Sequence, residues 1–467
     1  MAISDGVGVA GSGAAELVAR LDRLPPTRTI WSIIILLSIA YFFELYEQLL
    51  TGFIAPGLTA SGLFETTTRG LFGTSGIAAF IAALFAGLTV GTLITGWTAD
   101  RFGRRAVFTW ALLLYTVMTV FMAFQETAAT INLFRFLAGI GLGMESVIID
   151  TYIAELVPRS LRGRAFACSQ AFGFCAVPLG AFLAWLLVPQ APLGFDGWRW
   201  VVLIGAAMAL GGWYIRLRLP ESPRWLLERG RTAEAEAIIV DLETRVAAEH
   251  GRPLPEPERC ELAPRQGRYS EIWQPPYRRR TLMMIVFNIF QTIGYYGFLN
   301  WVPTLLIAQG ITVTKSLAFT VLIAITAPLG PVIGFVIGDR IERKWMIVGS
   351  MAVLSTVGLV FGATRMPALL IACGMLLTTF QNIMSYSYHA YQAELFPTRI
   401  RAKAVGFVYS FSRMSQIANA FIIAFVLGRY GASGVFMLIA LAYLIVMSVV
   451  TVFGPRTSGR ALEEISQ

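Results

Sequence analysis

Ionisable side chains lie inside long apolar runs of this 467-residue chain: Glu44 and Glu47 in the first run, Arg135, Glu145 and Asp150 in the fourth, and Arg413 in the eleventh. An ionised group at the centre of a membrane helix costs about 2.5–3.5 kcal/mol on insertion scales, so such residues mark function or a buried pair. Depth decides which of them meet. At about 1.5 Å per residue, Glu47 stands roughly 25 Å along its run, and Arg135 roughly 6 Å below the opposite boundary. In an apolar layer of about 30 Å the two reach the same height and are expected to pair. A dry cavity favours a neutral carboxyl, and a nearby guanidinium favours the carboxylate. A pair that parts and rejoins would load and release a proton; a fixed ion pair fastening two helices is the other reading. Glu44, three residues before Glu47, faces a neighbouring direction and suits a second proton site or a substrate contact.

Arg413 has no acid near it in sequence and lies roughly 15 Å deep in its run. Its planar fork suits a carboxylate, which it can hold by two parallel hydrogen bonds. An internal bridge to Asp150 or Glu145 is the structural alternative. Gln291, Tyr295, Tyr296 and Asn300 in the seventh run, and Gln381, Asn382, Tyr386, Tyr388 and His389 in the tenth, add polar and aromatic groups, with Gln170 in the fifth. Aromatic faces with a few fixed polar groups suit a flat ring carrying an acid.

The elements holding these residues follow from an internal repeat. Tyr152-Ile-Ala-Glu155-Leu-Val-Pro158 returns 239 residues later as Tyr391-Gln-Ala-Glu394-Leu-Phe-Pro397, and Asp100-Arg101-Phe-Gly-Arg104 returns as Asp339-Arg340-Ile-Glu-Arg343 at the same offset. Two motifs at one offset between apolar segments indicate two homologous membrane halves in tandem, with a site between them. Runs of roughly 20 apolar residues, enough to cross the layer, fall at approximately 30–57, 71–98, 106–124, 131–157, 164–188, 199–219, 281–308, 316–338, 345–363, 367–395, 403–428 and 432–453. The chain is thus expected to divide into a tail (1–29), a six-helix domain (30–219), a loop with short helices (220–280, with Thr232 as an N-cap), a second six-helix domain (281–453) and a tail (454–467).

Composition agrees. At 56% hydrophobic and 14% charged, the chain is far from a soluble protein, where charged residues make up about 25%. Its net charge of +9 would suit nucleic acid, but about 30 of the 37 Lys and Arg fall in one alternating set of loops and the tails, as the positive-inside rule requires. Nucleic acid is therefore no expected partner, and both termini are expected to be cytoplasmic. The four cysteines (Cys168, Cys175, Cys260, Cys373) show no paired spacing, and with two histidines no metal centre is expected. Nor does any nucleophile–base set suggest an enzyme, and no cofactor is expected.

Gly96-x-x-x-Asp100-Arg101-x-Gly103-Arg104-Arg105 between the second and third runs resembles the loop signature of the major facilitator superfamily. Pro220-Glu-Ser-Pro-Arg224 and Gly459-Arg-Ala-Leu-Glu-Glu-Ile465 resemble sugar porters and organic-ion transporters. Tyr295-Tyr296-Gly297 with Trp301-Val-Pro303 is similar to bacterial organic-acid, niacin-type and organic-ion carriers. Phe43-Glu44-Leu-Tyr46-Glu47 resembles the Phe-Asp-x-Phe/Tyr-Asp of aromatic-acid:proton symporters, with glutamates for both aspartates. The resemblance implies an all-α polytopic protein of twelve transmembrane helices in two six-helix domains, a monomer in the bacterial inner membrane. It implies a Glu47–Arg135 coupling pair, and a helix-11 arginine, Arg413, for a substrate carboxylate. It also implies that Asp100, Arg101, Arg104, Glu155, Arg162, Glu394 and Arg401 form gating bridges between the domains, closed in the outward-open state and broken in the inward-open one. The function implied is proton-coupled import of a small organic anion, such as an aromatic or other monocarboxylic acid. A proton-coupled sugar or polyol carrier is the alternative, and an exporter a more distant one.

Overall fold

Three of the apolar runs bend ahead of a proline, although Pro56 is accommodated inside the unbroken helix Arg28–Ala60. A proline has no N–H for the carbonyl four residues back and its ring crowds that carbonyl. In the computed structural model, which describes residues 16–66, 73, 76–216, 219–257, 268–275, 277–337 and 340–457, three runs expected as single helices break at that spacing. Span 5 divides into Arg162–Gly173 and Ala176–Leu187 ahead of Pro178. Span 7 ends its first helix, Tyr277–Leu299, four residues before Pro303 and resumes as Val302–Ala308. Span 8 divides into Val313–Ala324 and Leu329–Ile337 around Pro328.

The other spans are continuous: span 1 (Arg28–Ala60), span 2 (Ile77–Phe102), span 3 (Arg104–Ala123), span 4 (Ala128–Leu156), span 6 (Gly197–Arg216), span 9 (Arg343–Ala363) and span 10 (Pro367–Glu394). Spans 11 and 12 form a single helical stretch, Thr398–Phe453, divided only at Gly431 (φ 67°, ψ −170°). A side chain there would be strained in the left-handed region. The chain reverses at that residue, because Lys344 at the start of span 9 donates to the Gly454 carbonyl (2.7 Å) while Ser433 reaches Gly362 at the opposite end of span 9 (3.0 Å). The described residues thus hold twelve apolar spans and no strand. Asp339, Cys260 and the 459–465 motif lie outside them.

Close backbone contact sets the height of span 4. A Cβ at Gly143 would overlap the Leu88 carbonyl and one at Gly87 the Phe136 carbonyl, so only glycine lets spans 2 and 4 lie this close. Thr127 caps the start of span 4 by accepting the Thr130 N–H (3.3 Å). Span 1 is anchored to span 6 by the Tyr46 hydroxyl, which donates to the Val201 carbonyl (3.0 Å).

Both described chain ends and the central connection share one face, called here the basic face. The connection carries two helices, Pro223–Glu228 and Thr232–His250. Ser222 caps the first. Arg231 occupies the N-cap position of the second, so Thr232 is its first residue and not its cap. Glu243 on that helix binds Arg20 (2.5 Å) and Arg23 (2.6 Å) of the N-terminal segment, and Glu249 accepts from Thr29 (2.7 Å). Burial pushes the Glu243 carboxyl up, but the hydrogen bonds and charges of Arg20 and Arg23 outweigh it and hold the group below the usual carboxylate range. The stabilisation is therefore present above the ordinary glutamate pKa and lost as the pH falls through the lower, docked value. Glu243→Gln should free the N-terminal segment at neutral pH, read as faster tryptic cleavage after Arg20 and Arg23; an unchanged rate would show that the segment is held elsewhere.

Candidate functional site

Span 1 presents two faces with different tasks. Tyr41, Glu44, Leu45, Gln48 and Leu49 follow the i, i+3, i+4, i+7, i+8 pattern of one helical face, and all line a cavity between the two halves. Glu47 and Thr51, one turn apart, point instead to span 4. There Arg135, fully buried, lies 3.3 Å from Glu47 Oε2 and donates to the Glu47 carbonyl (2.7 Å) and the Thr51 hydroxyl (2.5 Å). Thr119 of span 3 donates to Glu47 Oε2 (3.4 Å), and the Arg135 guanidinium stands 5.4 Å from the Phe80 ring centre. Glu47 is 1% exposed, and its Oε1 is buried with no hydrogen-bond partner. One carboxylate oxygen is committed to the pair and the other has room for a proton.

The cavity holds about 870 Å³ of space, counting its open mouth. Of the residues named from the sequence, Glu44, Asp150, Gln170, Gln291, Tyr295, Tyr296, Tyr388, His389 and Arg413 line it. Asn300, Gln381, Asn382 and Tyr386 do not. The backbone of Asn300 packs on span 1, where a Cβ at Gly52 would sit 2.7 Å from its carbonyl oxygen, and its side-chain amide is buried without a hydrogen-bond partner. Gln381 is a brace, donating to the carbonyls of Gly294 and Tyr295 (both 3.2 Å) and to the Tyr443 hydroxyl (2.9 Å). Tyr386 packs on Gly334 of span 8. Sequence reasoning missed Tyr41, Gln48, Ser146, Phe174, Ser385, Tyr409 and Ser412 as lining residues, although each lies three or four residues from another liner or is a repeat-mate of one.

Span 11 is pinned to span 7, which fixes Arg413. The Thr292 and Ser412 hydroxyls lie 3.0 Å apart, and Ser415 donates to the Ile289 carbonyl (2.8 Å). Arg413 stands 5.3 Å from the Tyr409 ring centre, and its Nε and Nη1 are buried without a hydrogen-bond partner. Among the described residues it forms no ion pair. Tyr388 is held against Phe287 (rings stacked at 4.7 Å) and donates to Asn288 (2.5 Å). Tyr41 donates to Gln170 (3.2 Å). On the far side Phe85 of span 2 meets Tyr296 edge to face (5.0 Å). Asp150 and His389, within two turns of the basic ends of spans 4 and 10, are exposed, so the cavity is wet from that face.

Repeat-related positions share the wall. Ser146 and Ser385, Asp150 and His389, Gln170 and Tyr409, and Phe174 and Arg413 are all pairs at the 239-residue offset, and all eight line the cavity.

Of the charges expected to bridge the halves in the outward-open state, several pair within one half. Arg104 binds Glu155 (3.1 Å) and Asp100 (3.3 Å), and the repeat-mates Arg343 and Glu394 bind each other (2.5 Å). Arg162 donates to the Val157 carbonyl (3.0 Å) and Arg401 to the equivalent Phe396 carbonyl (3.3 Å); Arg162 also pairs with Asp22 (2.7 Å). Arg101 is exposed, over the Trp97 and Phe102 rings (5.3 and 5.5 Å). The Pro-Glu-Ser-Pro-Arg segment is part of the same knot. Glu221 accepts the backbone N–H groups of Arg104 (3.0 Å) and Arg105 (3.2 Å), satisfying the open donors of span 3. Trp225 and Arg229 donate to the Asp100 carbonyl.

Two repeat-related halves of six spans, with a polar cavity between them, define a transporter of the major facilitator class. The chain belongs to the "Sugar (and other) transporter" family, whose model matches residues 31–467. It is 31% identical over 446 residues to "Putative metabolite transport protein YyaJ" of Bacillus subtilis (strain 168), covering 95% of this chain and 96% of the relative. It is 26% identical over 456 residues to the niacin transporter NiaP of Acinetobacter baylyi (strain ATCC 33305 / BD413 / ADP1), covering 96% and 99%. The fold resembles the partially occluded inward-open xylose transporter XylE of E. coli, with TM-score 0.75 at 18% identity, over 92% of this chain and 99% of that one. The protein is thus a multi-pass membrane protein of a transporter family.

Proposed function

We infer that the chain is a proton-coupled symporter that imports a small organic anion, such as an aromatic or other monocarboxylic acid, by alternating access. Arg413 carries this reading. A guanidinium facing a wet cavity with two nitrogens unbonded is a poor structural element, because its desolvation is uncompensated, and a good receptor for a carboxylate. The rings of Tyr41, Phe174, Tyr296 and Tyr409 around it suit a flat substrate. That one relative bears the name of a carrier for niacin, a pyridine carboxylic acid, supports the same class.

Glu47 is the coupling residue in this reading, and Arg135 sets its proton affinity. The halves, 30–219 and 281–453, rock about the cavity; the ion-pair knots keep each half rigid as it moves. The basic face is cytoplasmic and the membrane is the bacterial inner membrane, which makes the arrangement described here inward-facing. The amides of Gln48, Gln170 and Gln291 on the same wall favour a second reading, a proton-coupled sugar or polyol carrier. Counterflow of labelled benzoate and, separately, of a labelled pentose in proteoliposomes separates the two. Exchange of benzoate alone is expected, and exchange of the pentose alone would replace the anion with a sugar.

A further inference from the structure

We propose that Asp150 and the substrate carboxylate are alternative counter-ions of Arg413, so that anion binding and protonation of Asp150 are a single linked event. The inference rests on the organic-anion reading and adds a proton site distinct from Glu47.

The charge inventory of the cavity motivates it. Arg413 brings one positive charge, and Glu44 and Asp150 bring two acids to the same space. With both acids ionised the site is net negative and repels the anion that Arg413 would bind. Asp150 and Arg413 line the same cavity without forming an ion pair, and Arg413 Nε and Nη1 have no hydrogen-bond partner there. Of the two acids, Glu44 is buried (5% exposed) whereas Asp150 is exposed to the wet end of the cavity, where water can deliver or remove a proton. The other titratable groups facing this space are Tyr41 of span 1, Tyr295 and Tyr296 of span 7, Tyr388 and His389 of span 10, and Tyr409 of span 11; span 5 offers the neutral Gln170 and Phe174. The exchange balances. The substrate carboxylate takes the Arg413 guanidinium, and a proton from water takes the Asp150 carboxylate. Release toward the basic face reverses both steps.

Two readouts test this on purified full-length protein. In the first, phenylglyoxal modification of Arg413, quantified by peptide mass spectrometry from pH 5.5 to 8.5, reports how well the guanidinium is neutralised without any substrate. Asp150→Asn should raise modification several-fold over the wild type at high pH and match it at low pH; Asp150→Ser, which also lacks the charge, should do the same if the amide disturbs folding. Equal rates in wild type and variants at every pH, or a rise in Glu44→Gln in place of the Asp150 variants, would overturn the assignment. In the second, benzoate is the protecting ligand. Its half-protecting concentration should climb about tenfold per pH unit in the wild type once Asp150 ionises and stay flat in Asp150→Asn, as a single linked proton requires. A steep climb in both proteins would overturn the linkage to Asp150 alone. Absence of benzoate protection at any pH, with the first readout intact, would overturn the organic-anion reading and with it the exchange.

Discussion

Glu47→Gln is expected to abolish accumulation driven by a pH gradient while leaving counterflow of preloaded substrate largely intact. The amide keeps the shape of the carboxylate and can still meet Thr119 and Arg135, but it carries no exchangeable charge. Exchange between loaded states needs no proton release, whereas net accumulation does. Arg135 would stay held by the Glu47 carbonyl and Thr51 at 2.7 and 2.5 Å, so its position should survive. Breaking a buried pair still costs about 3–5 kcal/mol, so a lower melting temperature should accompany the defect. Uptake along a pH gradient in proteoliposomes is the measurement. Wild-type accumulation by the variant would remove Glu47 from coupling and leave it a structural clamp between spans 1, 3 and 4.

Arg413→Lys is expected to weaken an anionic substrate although the charge is kept. Lysine offers a compact ammonium on a flexible stem and cannot reproduce the two-bond fork. Losing one charge-assisted hydrogen bond of about 1.5–3 kcal/mol corresponds to a roughly ten- to hundred-fold loss of affinity. Arg413→Ala should lose at least as much, whereas the amide analogue of the substrate should be nearly indifferent to either change. Titration calorimetry or counterflow competition with benzoate and benzamide reads this directly. If a neutral sugar binds best and its affinity ignores Arg413, the carboxylate role is lost. The membrane fold and family membership would stand.

What could be read from the chain depended on whether one helix or two carried the information. The Glu47–Arg135 contact was within reach because rise per residue fixes height on each helix, and two heights suffice to match a pair. The split between the cavity face of span 1 and its clamp face was also present in the spacing of Tyr41, Glu44 and Gln48 against Glu47 and Thr51. The breaks in spans 5, 7 and 8 were marked by Pro178, Pro303 and Pro328, but a hydropathy count averages over a proline and passes through it. Rotation about each helix axis was not legible. Gln381 and Tyr386 have the right chemistry for a cavity wall and face packing partners instead, because the azimuth of span 10 is set by its neighbours, while Asn300 falls past the end of the helix Tyr277–Leu299. The loop charges make a related point: the repeated motif gives Arg104 and Arg343 acidic partners, but spacing alone does not say which contacts belong to which conformational state.

The paired positions of the cavity wall bear on how a duplicated half can acquire polarity. An ancestor made of two identical halves would have set serine opposite serine, acid opposite acid and aromatic opposite aromatic, so a guest would have met the same surface whichever way it turned. In this chain the serine pair, Ser146 and Ser385, is still matched, while an acid has come to answer an imidazole and a phenyl ring a guanidinium. At these paired positions the difference between the halves resides in the side chains. Exchanging Phe174 and Arg413 between the halves should carry the guanidinium across the chamber and turn the preferred orientation of a carboxylate guest with it.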